Sequence, residues 1–177
     1  SFVKFGFSDE NSLIKAIGSG NITVREILKK IKPKDITKFK IGDQISPLYI
    51  EKVSRMSLET YAKASGDFNP IHLDSDFAKQ FGLPNIIAHG MLIMSYLGRM
   101  LTNTFPQNTL TDFSSQFVSM THLNDKITCT GRIIRKNTDS HGNIIYSLRL
   151  KAVNENGEKR ISGKAKVLLR FEKIDLN

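Results

Sequence analysis

Eight consecutive residues concentrate polar groups: Ser65-Gly66-Asp67-Phe68-Asn69-Pro70-Ile71-His72. They offer a carboxylate and an imidazole five residues apart. Gly66 permits unusual dihedrals just before Asp67, and Pro70 stiffens the loop while holding Asn69 extended. An Asp and a His on a rigid turn can grip one water between them and move its proton at neutral pH. The same residues would also serve a plain turn, with Asp67 and Asn69 capping backbone groups and His72 satisfied within the loop. A second feature is His89-Gly90-Met91 at the head of an apolar stretch. A helix N-terminus presents free N–H groups and the positive end of the dipole. Glycine there would let a ligand oxygen approach the backbone, as in an oxyanion hole. The plainer alternative is that His89 caps the helix and Gly90 packs.

These groups need a scaffold, and the alternation along the chain outlines one. Ile41-Gly42-Asp43-Gln44-Ile45 reads as a turn into a strand, and Tyr49 to Val53 as more strand. Ser57 is a plausible N-cap for a short helix with Leu58, Tyr61 and Ala62 on one face, ended by Gly66. A loop from Asp67 to Asp74 and a short helix over Asp76 to Phe81 follow. From Gly90 to Leu101 the chain is apolar almost all round, so a helix there must be wrapped by other elements. Met91, Met94 and Tyr96 on it could face either core or ligand. Phe113 to Met120, Lys126 to Ile134, Asn143 to Val153 and Arg160 to Phe171 read as strands, the last three joined by turns at His141-Gly142-Asn143 and Asn154-Glu155-Asn156-Gly157. An α+β fold, a curled antiparallel sheet around one long helix, satisfies this order.

The 177 residues suffice for one domain and a short appendage. Residues 1–36 read as that helical appendage and linker, with a capping box at Thr23 and Glu26, and residues 37–177 as the domain. The net charge is +9, distributed as +5 over residues 1–40, −2 over 41–121 and +6 over 122–177. One continuous basic groove is excluded by that spread. No single-strand stacking motif, helix-turn-helix or zinc-finger spacing accompanies the cations, so nucleic acid is not expected as a partner. Candidate contacts for an anionic ligand are Arg132, Arg135 and Lys136 on one strand and Lys164, Lys166 and Arg170 on another. Cys129, the only cysteine, excludes an internal disulfide and reads as a half-buried strand thiol. Ser1 to Lys15 lacks an apolar secretory core. The stretch Ile86 to Leu101 is too short to span a bilayer. A cytoplasmic setting is the expectation.

Tyr61-Ala62-x-Ala64-Ser65-Gly66-Asp67-Phe68-Asn69-Pro70-Ile71-His72-x-Asp74, followed by Ala88-His89-Gly90-Met91-Leu92, resembles the MaoC-like dehydratases, the (R)-specific enoyl-CoA hydratases. The resemblance runs over roughly residues 38–172 and includes Ile161-Ser162-Gly163-x-Ala165. It implies the hot dog fold and reversible syn addition of water to a trans-2-enoyl thioester, giving a (R)-3-hydroxyacyl thioester. Asp67 and His72 would hold the water, in either order of acid and base. Asn69 would orient the loop or the thioester. Ser65 would support them, and Gly90 with His89 would position the thioester carbonyl. The resemblance implies no metal and no cofactor beyond the coenzyme A or acyl carrier protein that bears the substrate. It also implies a homodimer or larger assembly of hot dog units and a bacterial enzyme. Where the family has Gly-Asp before a strand, this chain has Asn124-Asp125, and Asn can take the left-handed conformation that Gly supplies. The other readings are a hot dog thioesterase and a non-catalytic acyl-CoA-binding or assembly module.

Overall fold

The structure is a computed structural model that describes residues 35–171. Contacts divide the chain between Ile36 and Thr37. The helix expected after Thr23 lies outside the described residues.

Five strands form one antiparallel sheet: β1 Leu48–Ile50, β2 Leu110–Phe117, β3 Ile127–Thr138, β4 Ile144–Val153 and β5 Lys159–Leu169. Their spatial order is β1-β3-β4-β5-β2. Three helices lie between β1 and β2: α1 Arg55–Ser65, α2 Ser75–Gln80 and α3 Gly90–Thr102. The expected hot dog arrangement is what the chain adopts, with α3 packed against β1, β2, β3 and β4.

Period-two alternation builds the curved inner face. Cys129 and Ile133 of β3, Leu148, Leu150 and Ala152 of β4, and Ile161, Ala165 and Val167 of β5 are all buried. Across from them α3 buries Leu92, Ile93, Tyr96, Leu97, Met100 and Leu101. A helix covered on that many sides cannot be amphipathic in the usual sense, which is why its sequence is apolar nearly all round. Close packing needs a small residue where layers meet. A Cβ on Gly131 would sit 3.0 Å from the Ile45 side chain and 3.1 Å from Leu150. Tyr96 therefore belongs to the core, Met91 is exposed and Met94 is intermediate.

Several boundaries differ from the expectation. Helix α1 is capped by Ser54, whose Oγ accepts the Ser57 N–H at 3.1 Å, so Ser57 lies inside the first turn. The Ile41–Ile45 segment turns at Gly42, φ +96°, and lies along β3 through an isolated bridge, Gln44 to Arg132, without becoming a strand of its own. Strand β2 ends at Phe117, where Val118 and Ser119 both donate to the Arg160 carbonyl and break the ladder. Asp74 supplies the cap of α2, accepting the N–H groups of Asp76 and Phe77. Cys129 is fully buried rather than half-buried, and that desolvation pushes its thiol pKa up to about 12. Asn124 does adopt positive φ, +74°, and its N–H donates to the Val53 carbonyl at 2.8 Å.

Candidate active site

The polar loop is built by a relay of short side-chain-to-backbone bonds. Gly66 ends α1 at φ +76°, its N–H returning to the Ala62 carbonyl at 2.8 Å. Ser65 Oγ donates to the Tyr61 carbonyl at 2.8 Å and accepts the Asp67 N–H at 3.3 Å. The Asp67 carboxylate accepts the Asn69 N–H at 3.2 Å, and Asn69 Oδ1 accepts the Ile71 N–H at 3.2 Å. Pro70 then starts a 3₁₀ turn over Pro70–His72, using its preset φ. Asp67 and Asn69 thus do the turn-capping work that their residue types suggested. Asn69 spends its carbonyl oxygen on the loop.

This geometry delivers His72 inward, where it is buried. Its Nδ1 lies 2.8 Å from the Ile87 carbonyl oxygen. A carbonyl only accepts, so Nδ1 carries a hydrogen, and in the neutral ring Nε2 is the acceptor. His89, also buried, lies beside it with ring centroids 3.9 Å apart at 31°. His89 Nε2 donates to the Asp67 backbone carbonyl at 3.1 Å, and its Nδ1 is sealed from solvent with no partner among the described residues. Burial holds the His89 pKa below the ordinary histidine value, and the neighbouring His72 adds to that against the opposing Asp67 carbonyl bond. His89 is therefore a neutral brace between the loop and His72. Tyr61 of α1 packs against its ring at 5.0 Å.

Asp67, His72 and His89 each bring a potential ligand atom within 4.8 Å of the others. A divalent ion could use such a spacing. The donor set fits a neutral water better than an ion, because His72 Nδ1 and His89 Nε2 already donate to carbonyls and His89 Nδ1 is inaccessible. What remains at an approachable surface is the exposed Asp67 carboxylate and the Nε2 lone pair of His72.

A cavity of about 320 Å³ opens beside His72, lined also by Gly90, Ile93, Phe117, Met120 and Ile161. Gly90 is the first residue of α3, and no side chain caps that helix. The Leu92 N–H donates to the His89 carbonyl at 3.1 Å, which leaves the Gly90 and Met91 N–H groups of that turn for an oxygen. A Cβ at position 90 would lie 3.0 Å from the Phe117 ring, so glycine keeps this approach open. Ser65, Asp67, Asn69, His72 and His89 form one connected unit, and Gly90 joins it through the cavity.

The sequence reading missed Phe117, the Ile87 carbonyl and Arg160. Arg160 is a buried cation that lines the cavity and pairs with Asp125 at 3.0 Å and Glu158 at 3.1 Å. Phe117 stood in plain alternation with its neighbours, and nothing local marked it. The Asp125 at the end of the Asn124 turn was the one available pointer to Arg160.

The profile of the MaoC like domain matches residues 31–165. The chain belongs to the MaoC-like dehydratase family. It is 32% identical over 91 residues to the mitochondrial 3-hydroxyacyl-(acyl-carrier-protein) dehydratase of Arabidopsis thaliana, a match covering 51% of this chain and 54% of that protein. It is 32% identical over 114 residues to the fatty acid synthase beta subunit TOXC of Cochliobolus carbonum, covering 63% of this chain and 5% of that one. The chain thus spans about half of the plant relative and a small part of the fungal one. Among solved structures, the (R)-hydratase from A. caviae involved in PHA biosynthesis superposes with a TM-score of 0.67 at 24% identity, covering 75% of this chain and 98% of that one. This MaoC-like chain has no helix among its described residues long and apolar enough to cross a membrane.

Proposed function

We propose that this MaoC-like chain is a hydro-lyase that adds water reversibly to trans-2-enoyl thioesters, giving (R)-3-hydroxyacyl thioesters. The observation that carries this reading is the approach of Asp67 and His72 to within 4.8 Å of each other, with His72 and Gly90 lining one cavity. The plant relative's name, a dehydratase of 3-hydroxyacyl groups on acyl carrier protein, supports the substrate class.

In the hydration direction the thioester carbonyl rests on the Gly90 N–H, which stabilises charge developing on its oxygen. Asp67 and His72 hold the water at the β-carbon. Its oxygen bonds to that carbon while the carbon–carbon π pair moves to the α-carbon. One water proton passes through Asp67 or His72 to the α-carbon, so a single group can be base and then acid. Dehydration is the reverse. His89 holds both partners in place, and Ser65 and Asn69 fix the loop that carries Asp67. The carrier, coenzyme A or acyl carrier protein, is bound through the substrate, and no redox or metal cofactor enters this scheme.

The proposal includes an appendage over residues 1–36 ahead of a hot dog domain over 37–177. It also includes a homodimer. The outer edge of β2 is unpaired among the described residues, and Phe117, Val118 and Met120 at its end are about half exposed. Pairing of an exposed edge with a second copy satisfies both.

Loss of the conjugated enoyl absorbance of a short trans-2-enoyl-CoA tests the activity. Wild-type protein is expected to consume it, and the Asp67→Asn and His72→Ala variants to lag far behind. Untouched substrate at several chain lengths and on acyl carrier protein would refute the reading. Release of free thiol would make the protein a thioesterase.

A further inference from the structure

Outward-facing positions of β3, β4 and β5 carry a charge pattern that the fold does not require. Arg132, Arg149 and Lys164 stand directly opposite one another across these three strands. All three are exposed, and none enters an ion pair among the described residues. The row on one side is Thr130, Lys151 and Ser162, and that on the other is Arg135, Ser147 and Lys166. The one carboxylate in register with these rows is Asp112, 3.9 Å from Lys166. Like charges directly opposite destabilise a sheet. Thr130, Ser147 and Ser162 show that small neutral residues fill this face well enough, so the cationic row is a cost with no structural return.

The face also carries a local depression. A dent of about 380 Å³ is lined by Arg132, Arg149, Lys151 and Lys159, with no acidic residue. Strand β5 joins it to the reaction centre. Lys159 and Ser162 line the dent, while Arg160 and Ile161 between them line the cavity that holds His72.

The cations are spread over three strands at about 4.8 Å spacing with their head groups in solvent, a field wider than one phosphate. No aromatic side chain stands in these rows to stack a base, which disfavours single-stranded nucleic acid. Exposed, mobile cations over a broad face suit steering and capture of an acidic protein surface. We infer that the outer face of β3, β4 and β5 docks an acidic carrier protein that brings the thioester substrate. This rests on the proposed reaction.

Kinetics on the same enoyl group borne by acyl carrier protein and by coenzyme A test it. In the Arg132→Glu/Arg149→Glu/Lys164→Glu variant, KM for the carrier-bound substrate is expected to rise at least about tenfold, with coenzyme A kinetics held within about twofold. A charge-matched control, Lys52→Glu/Lys63→Glu/Lys79→Glu, should change neither. Equal losses in both variants would show a net-charge effect and overturn the docking face, as would an unchanged carrier KM. Calorimetry with unloaded acyl carrier protein decides docking even if wild type turns over neither substrate, an outcome that would sink the reaction and leave the face to be judged on binding alone. Duplex DNA that binds wild type but not the outer-face variant, without carrier binding, would assign the face to nucleic acid and overturn the proposal. Arg149→Ser, copying its neighbour Ser147, relieves repulsion without adding acid. It should melt no lower than wild type and still weaken carrier binding.

Discussion

The 65–72 loop and the head of α3 line one cavity but are held there by opposite means. The loop is largely exposed and keeps its shape through its own side-chain bonds, Ser65 to Asp67 to Asn69 to Ile71. Helix α3 is held by burial of Leu97, Met100 and Leu101, and its first-turn N–H groups are left without a side-chain cap. The polar groups of the loop are thus held locally, whereas the N-terminal end of the helix is placed by the core itself.

The sharpest way to break this contrast is to find that loop substitutions unfold the protein. Asp67→Asn is expected to cut turnover by about 10²–10⁴-fold, while the melting temperature stays near wild type. A melting loss comparable to a core mutant would mean that the loop is structural. On the helix the effect should reverse. Leu97→Ala removes a fully buried side chain and should cost about 2–5 kcal/mol in denaturant unfolding. Its residual activity, measured on the folded fraction, should remain well above that of Asp67→Asn.

Gly90 sits where the two regimes meet. An alanine Cβ there would press the Phe117 ring at 3.0 Å. The ring is half exposed and can yield, so Gly90→Ala should lower kcat/KM by about tenfold with little change in melting. Adding Phe117→Ala should restore part of the rate. Failure of that rescue would show that position 90 acts through the helix backbone alone.

The smallest effect concerns pH. His89 is held neutral, with a folded pKa below its unfolded value. The unfolded chain therefore binds more protons between the two values, and stability rises with pH there. Thermal melts should show stability fully present above about pH 6.5 and declining as pH falls toward the lowered folded pKa. His89→Gln should flatten that decline. An unchanged slope would remove His89 as its source.

Much of this architecture was readable along the chain, and the misses share a cause. Gly66, Pro70 and Asn124 are local signals, because each conformation is set by its own residue type. Strand alternation showed which residues of β3, β4 and β5 face inward. Helix α1 is capped by Ser54 rather than Ser57 although both serines can cap, and Ser57 Oγ instead donates back to the Ser54 carbonyl at 2.6 Å. Strand β2 stopped early because its partner strand changes register at Arg160, a contact 42 residues away in sequence. Phe117 was invisible as a cavity residue for the same reason.

The amino-acid sequence determined the chemical inventory and its local mounting: a carboxylate and an imidazole on a self-bonded turn, and a glycine at the head of a helix too apolar to lie on a surface. Those are matters of residue type and short spacing. Only the tertiary structure decided that His72 turns its Nδ1 to Ile87, that His89 braces both partners, and that the cationic residues of three strands fall into one unpaired row. Each depends on which distant backbone atom comes within reach, and that is settled by how the sheet closes around α3.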